Sequence, residues 1–152
     1  MFRPFTVTVL ALLSCLLAGP ALAQLPAAAP ESTFTAAGRK PVVGARIAEM
    51  LAGNTTYTVN LDAYQGGPRG TVTPTFWRDR QRATMVLPPA GTKVDASWWI
   101  EADRLCMKFL IKSEVTGCSR LYEVEGTLYS CSQSNSQCIF MLRVVPGNAE
   151  KL

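Results

Sequence analysis

The residues of this chain best suited to chemistry are cysteines, two of which bracket the palindrome CSQSNSQC at residues 131–138. Paired thiols can bind a metal, exchange electrons or form a disulfide. A structural zinc site is disfavoured, because the chain has no CxxC pair and no histidine to complete four ligands. A redox role is disfavoured as well, since catalytic thiol pairs are normally CxxC. The pattern therefore predicts a disulfide that closes the loop of a β-hairpin, and no metal site.

Four cysteines lie beyond the N-terminal segment, namely Cys106, Cys118, Cys131 and Cys138. An even number of cysteines in an exported chain indicates two disulfides, for which three connectivities exist. We favour the sequential pairing, Cys106–Cys118 and Cys131–Cys138, because each pair brackets a hairpin.

The sequence offers little to catalysis. The absence of histidine excludes Ser-His-Asp and Cys-His arrangements, and no GxSxG, HExxH or glycine-rich phosphate loop is present. Glu123 and Glu125 would share one face of a strand, roughly 7 Å apart, and paired carboxylates can hydrolyse glycosides. A solvated outer face is the simpler interpretation. We expect no catalytic residue, no cofactor and no enzymatic activity.

A basic cluster next to Trp77 is the most suggestive surface feature. Arg78, Arg80 and Arg82 fall on the turn of an expected hairpin. They could bind an anionic partner, such as a lipid headgroup, a polysaccharide carboxylate or an acidic protein patch. Alternatively they are solubilising turn charges that pair locally through Asp79.

Two adjacent tryptophans, Trp98 and Trp99, must point to opposite faces of a strand. One of them therefore belongs to the core. The other either packs over the Cys106 bridge or serves as a contact residue, a role in which tryptophan is enriched. The candidate ligand or partner contacts are Trp77, Arg78, Arg80, Arg82, Trp98 and Trp99.

Residues 1–23 have the pattern of a secretory signal peptide, with Arg3 before an apolar run and the small-residue box Ala21-Leu22-Ala23. We expect cleavage between Ala23 and Gln24 and a periplasmic or secreted protein. The alternatives are an uncleaved anchor, whose apolar run is short for a span of ~20 residues, and a lipoprotein modified at Cys15. No later segment could span a membrane.

The pattern of the remaining residues predicts one small domain, preceded by a short N-terminal segment that we call the lead. Residues 24–43 are rich in Ala and Pro and are expected to be a disordered lead. Ile47, Met50 and Leu51 fall at helical spacing and predict a short helix near residues 44–52. Short alternating runs then predict eight strands of an antiparallel all-β barrel or sandwich, within a domain of residues 44–148. After the run from Thr55 to Leu61, the strands are expected near 71–78, 82–87, 94–101, 104–111, 120–125, 127–131 and 138–145.

One hairpin can be aligned residue by residue. A two-residue turn at Ala102-Asp103 would place Trp99 opposite Cys106 and Trp98 opposite Met107. One face would then belong to the core and carry Ala96, Trp98, Ile100, Leu105, Met107 and Phe109.

The order of these features resembles a group of small exported bacterial proteins of unknown function with a lipocalin-like β-barrel. The features are "LAGNT" at residues 51–55, a glycine-rich turn, a tryptophan strand, then Trp99, Leu105-Cys106 and Cys118. The resemblance covers roughly residues 44–145. It implies an eight-stranded barrel and a Cys106–Cys118 bridge, and it implies no activity.

The function we expect is binding. The formal net charge of +4 is too mild to indicate nucleic acid. A lipocalin-type carrier of a small apolar ligand would need a hollow interior lined by residues such as Tyr57, Trp77, Trp98, Met107 and Phe109. The alternative is an inhibitor or partner-binding module that acts on an envelope or host protein through an exposed loop. The sequence does not indicate the ligand, the partner or the oligomeric state.

Overall fold

The computed structural model describes residues 26–63, 67–79, 81–110 and 116–152. The predicted signal peptide, its cleavage site, Cys15 and Arg80 lie outside the described residues. Within these residues, nine strands and two helices follow one another along the chain. In order they are β1 (Ala29–Pro30), α1 (Glu31–Ala36), α2 (Gly44–Leu51), β2 (Thr55–Asn60), β3 (Val72–Arg78), β4 (Arg82–Leu87), β5 (Thr92–Glu101), β6 (Arg104–Phe109), β7 (Thr116–Val124), β8 (Thr127–Ser132) and β9 (Gln137–Val145).

Strands β2 to β9 form a closed antiparallel barrel of eight strands. Each strand pairs with the next along the chain, and β2 closes the barrel on β9 from Thr55↔Val145 to Asn60↔Phe140. The predicted all-β class and the eight-stranded antiparallel barrel are confirmed, and the architecture is consistent with the lipocalin-like resemblance. Strand β7 begins at Thr116 rather than near residue 120.

The β5–β6 hairpin has the predicted register, with Trp99↔Cys106 and Trp98↔Met107. Ala102 and Asp103 adopt φ values of 45° and 58°. A two-residue turn with both central residues in the left-handed region matches the right-handed twist of its flanking strands. Ala-Asp is not a typical sequence for such a turn. Ala102 and Asp103 adopt it because the paired strands on either side determine the geometry.

Helix α2 closes one end of the barrel, where Ile47 and Leu51 are completely buried. We call this the helix end; it also carries the turns after β3, β5 and β7. The helix begins against the β5–β6 turn, where the backbone N–H of Gly44 donates to Asp103 Oδ1 at 2.7 Å. A Cβ at position 44 would lie 2.5 Å from Ile100 Cγ2, so the close approach requires glycine. Asp103 thus supplies the N-terminal cap that α2 lacks in its own sequence.

The Ala/Pro-rich lead is more ordered than the sequence predicted. Strand β1 pairs with the start of β9, and α1 follows it directly. The ring of Phe34 lies 5.2 Å from the rings of both Tyr122 and Tyr129. The expectation of a lead without regular structure therefore does not hold for residues 29–36, because side chains far along the chain anchor them.

Both disulfides have the predicted sequential connectivity, Cys106–Cys118 and Cys131–Cys138. Each bridge joins two residues that face each other on neighbouring strands. The first links β6 to β7, and the second joins β8 to β9 at the loop of residues 133–136. Across the described ranges, no helix is both long and apolar enough to cross a membrane.

Candidate functional site

Trp77 and Trp98 lie in the barrel core, with 3% and 6% of their surface exposed. Their rings meet edge-on, with centroids 5.6 Å apart and an interplanar angle of 90°. Both indole N–H groups are satisfied: Trp77 Nε1 donates to Thr56 Oγ1 at 2.8 Å, and Trp98 Nε1 donates to the carbonyl of Arg82 at 3.1 Å. Buried indoles whose N–H groups have hydrogen-bond partners in this way contribute to the packing of the core.

Side chains of the barrel strands and of α2 fill the interior near the helix end. The two tryptophans belong to one cluster with the buried residues Ile47, Leu51, Ala83, Ala96, Leu105 and Leu121. The partly buried residues Met107 and Phe109, which were expected to line a cavity, pack against this cluster.

Tyr57 was also expected to line the interior, and it lies on the other face of its strand. Its hydroxyl donates to the carboxylate of Glu150, and this hydrogen bond raises the pKa of the tyrosine. Thr56, its neighbour, points inward and accepts from Trp77. Alternation alone did not show which face of β2 is the inner one.

The register of four strands aligns a row of polar residues on the outside of the barrel. Arg78 on β3 lies opposite Arg82 on β4, Arg82 lies opposite Ser97 on β5, and Ser97 lies opposite Lys108 on β6. Since neighbouring strands are about 4.8 Å apart, these residues form a straight line across the sheet. We call Arg78, Arg82, Ser97 and Lys108 the basic row.

The two arginines of the basic row are exposed and face each other directly. Within the part of the chain that the structure describes, neither guanidinium forms a hydrogen bond or an ion pair. Like charges directly opposite each other on a sheet destabilise it. A bound anion would relieve that repulsion, so the pair is suited to an acidic group.

A small cleft of about 250 Å³ lies beside this pair and includes Thr84 and Asp95 in its lining. The carboxylate of Asp95 accepts a hydrogen bond from Thr84 Oγ1 at 2.7 Å. One acidic residue therefore borders the two arginines on the side toward the opposite end of the barrel. A partner group that fits here has to be small and anionic and must avoid Asp95.

Trp99 lies on the same outer face, two residues beyond Ser97, and is half-buried. It lies opposite Cys106, which is completely buried, so the indole sits at the Cys106–Cys118 bridge. Its Nε1 donates to Glu101 Oε2 at 3.3 Å. Trp99 is therefore adjacent to the bridge in the strand register, and it is only partly buried.

The structure therefore brings three of the six candidate contacts, Arg78, Arg82 and Trp99, onto one outer face. Trp77 and Trp98 are separated from them and lie in the core. Sequence reasoning missed Ser97 and Lys108. Both residues could have been found by aligning the β4–β5 and β5–β6 hairpins from the sequence. Correct registers for both hairpins place Ser97 and Lys108 in line with Arg82.

The carboxylate pair considered for hydrolysis does not form on one strand face. Strand β7 ends at Val124, and Glu125 lies in the following turn with a φ of 51°. A separate group of possible ligand atoms within 4.8 Å of one another consists of Glu101, Cys106 and Cys118. Its two sulfurs are bonded to each other, so they do not act as thiolate ligands.

No protein-family model, curated protein or solved structure matches the chain. The function is therefore inferred from the geometry of the barrel and the chemistry of its surfaces.

Proposed function

We propose that this protein is an exported, non-enzymatic binding module that holds an acidic surface of a protein partner against the outer face of β3–β6. The observation that carries the proposal is the placement of Arg78, Arg82 and Trp99 on one face of a closed, disulfide-bridged barrel. Arginine and tryptophan are the residue types that most often dominate binding energy at protein interfaces. An inhibitor of an envelope or host protein is the form of module that fits this surface.

Electrostatics supports the same surface. No described acidic side chain forms an ion pair with Arg78 or Arg82. Exposed charges of one sign accelerate encounter with a partner of the opposite sign, and salt weakens the effect. Binding through this face should therefore be fast and should decrease as ionic strength rises.

The carrier hypothesis is less well supported by the interior. An eight-stranded barrel can enclose one small ligand or be filled by its own side chains. Here Ile47 and Leu51 of α2 occupy the helix end, and Trp77 packs against Trp98 behind them. An apolar ligand would have to displace part of this packed core.

Charge reversal tests the proposed face. Wild-type protein and an Arg78→Glu/Arg82→Glu variant are immobilised and exposed to extracellular and envelope extracts of the source organism. An Arg39→Glu/Lys40→Glu variant makes the same change in charge on the exposed lead and serves as the control. We expect a partner that wild type and control retain, that the Arg78/Arg82 variant loses, and that elutes with salt. Equal retention by all three proteins would contradict the proposal.

A neutral apolar fluorophore separates the proposal from the carrier. N-phenyl-1-naphthylamine becomes bright in apolar cavities, and we expect no saturable rise in its fluorescence with the folded protein. Saturable binding that quenches the fluorescence of the core tryptophans would instead support a hollow barrel and a carrier.

A further inference from the structure

The lead adds a strand to the barrel at an edge that the pairing of β2 does not reach. The ladder between β2 and β9 stops at Phe140, so the start of β9 lies beyond it. Strand β1 pairs there with Gln137 and Cys138. Immediately after β1, the N–H of Glu31 donates to the carbonyl of Ser136 at 2.8 Å. Addition of an extended segment to a sheet edge is a recurrent mode of peptide recognition.

Glu31 provides a charged anchor on the same face of the barrel. Its Oε1 accepts a hydrogen bond from Arg120 Nη1 at 3.2 Å and another from the hydroxyl of Tyr122 at 2.8 Å. Only 14% of the Glu31 side chain remains exposed. Since a carboxylate loses hydration when it is buried, it needs such partners in exchange. The face therefore selects an acidic residue at this position.

Phe34 provides an aromatic anchor three residues later in α1. The centroid of its ring lies 5.2 Å from the ring centroids of both Tyr122 and Tyr129. The ring also packs against the buried cluster that Tyr122 forms with the second disulfide. Because helical residues three apart lie on the same side, Glu31 and Phe34 reach the barrel together.

The barrel side of this contact is held in place by strands and a disulfide. Arg120 and Tyr122 lie within the β7–β8 ladder, in which Tyr122 faces Tyr129. The Cys131–Cys138 bridge joins β8 to the start of β9. We call Arg120, Tyr122, Tyr129 and the start of β9 the lead-binding face. A preorganised surface of this kind loses little conformational freedom when a segment binds to it.

The lead itself is attached more loosely. Helix α1 contains no buried residue. The N–H groups of residues 37–39 donate to carbonyls within the lead, and residues 35–40 are exposed. The chain contacts the barrel again at Val42, whose N–H donates to the carbonyl of Leu121 at 2.8 Å. Residues 26–36 can therefore leave the face while the barrel and α2 keep their places.

We propose that the lead-binding face is a peptide-binding site, which the lead occupies in the isolated chain and which a segment of a protein partner takes by displacing it. That segment has a short extended stretch, then an acidic residue, then an aromatic residue three positions later. Its carboxylate binds Arg120 and Tyr122, its ring packs on Tyr122 and Tyr129, and its backbone pairs with the start of β9. The site does not depend on the function proposed for the basic row.

The covalent attachment of the lead sets the affinity that a partner has to exceed. A segment on a short flexible linker acts at an effective concentration on the order of millimolar. A free peptide should therefore bind the wild-type protein weakly. It should bind much more tightly to a chain whose own lead has lost its anchors.

The test uses a fluorescent synthetic peptide with the sequence of residues 26–40, and fluorescence anisotropy measures its binding to the exported protein. The Glu31→Gln/Phe34→Ala variant lacks both anchors of the lead and keeps the whole barrel. We expect saturable binding to this variant and binding at least about tenfold weaker to wild type. A peptide that itself carries Glu31→Gln and Phe34→Ala is the control probe, and it should bind neither protein.

A change on the barrel side locates the bound peptide. Addition of Arg120→Gln to the variant should weaken peptide binding by about tenfold or more, as expected for loss of a charged partner. Arg143→Gln, at an exposed position of β9 away from its start, is the matched control and should leave the affinity unchanged. Near-UV circular dichroism shows that each variant is folded.

Selection from a phage library of random peptides defines the chemistry of the partner. Sequences retained by the Glu31→Gln/Phe34→Ala variant should be enriched in Asp or Glu followed three positions later by Phe, Tyr or Trp. Enrichment of basic or purely apolar sequences would contradict the proposal. It would also be overturned by no saturable binding of the lead peptide, by equal binding of the control peptide, or by an unchanged affinity with Arg120→Gln. A Glu31→Gln/Phe34→Ala variant that does not fold would show that the lead is an inseparable part of the barrel.

Discussion

Three tryptophans show how the role of a residue depends on the face that its strand presents. Alternation required that Trp98 and Trp99 differ, and the hairpin register correctly assigned Trp98 to the core. Nothing comparable was available for Trp77, since β3 has no turn of clear type to fix its register from sequence. Its burial against Trp98 follows from barrel closure, which joins strands that the local pattern does not relate.

Truncation of Trp77 should mainly reduce stability, whereas truncation of Trp99 should mainly reduce partner binding. Trp77→Ala removes a buried ring and its hydrogen bond to Thr56, so the free energy of unfolding should fall by about 3 to 5 kcal/mol. Trp99→Ala, at a half-buried outer position, should cost about 1 kcal/mol or less and should weaken partner binding. Urea unfolding of both variants provides the measurement. Comparable losses of stability would place Trp99 in a structural role only.

The stability that Tyr122 gains from its contact with Glu31 of the lead should depend on pH. Burial, together with the hydrogen bond that its hydroxyl donates to Glu31 Oε1 at 2.8 Å, raises its pKa to about 12. The folded state therefore holds this proton more tightly than the unfolded chain, whose tyrosine pKa is about 10. The resulting stabilisation is complete below pH 10 and is lost as the pH rises to about 12.

Tyr122→Phe should remove that pH dependence. Between pH 10 and 12 wild type should lose stability more steeply than the variant, by at most about 1.4 kcal/mol per pH unit. Urea unfolding of both proteins at pH 9 and pH 11 measures the difference. Parallel pH profiles would show that folding does not raise the pKa of this hydroxyl.

At the scale of elements, the hairpins were predictable and the lead was not. A short turn and strict alternation determine the β5–β6 register, and both are local. The lead is held by Glu31, which contacts Arg120 and Tyr122 at sequence separations of 89 and 91 residues. No local pattern contains that information, and the Ala/Pro-rich composition pointed to disorder.

The Cys131–Cys138 bridge should stabilise the β8–β9 hairpin without being required for the fold. Barrel closure depends on β2–β9 pairing along six residues of β2, which the bridge does not touch. Replacing both cysteines with serine should lower the free energy of unfolding by roughly 2 to 3 kcal/mol and leave a folded barrel. Thermal unfolding by circular dichroism under oxidising conditions would show this. An unchanged melting temperature contradicts the expectation, and so does a variant that does not fold.

At the scale of the whole molecule, the filled helix end favours the proposed binding through the outer face over binding in the interior. Two disulfides are compatible with an oxidising, exported location. The basic row depends on the registers of three strand pairs at once, so the sequence revealed its arginines but not the line that they form with Ser97 and Lys108.

Site-specific photo-crosslinking in the source organism tests the central claim most directly. A photoreactive amino acid replaces Ser97, in the middle of the basic row, and in a second protein it replaces Lys40 on the exposed lead. The proposed function predicts a discrete protein adduct from position 97 and none from position 40. Adducts from position 40 alone, or no adduct from position 97, would contradict the assignment of the β3–β6 face as the binding surface.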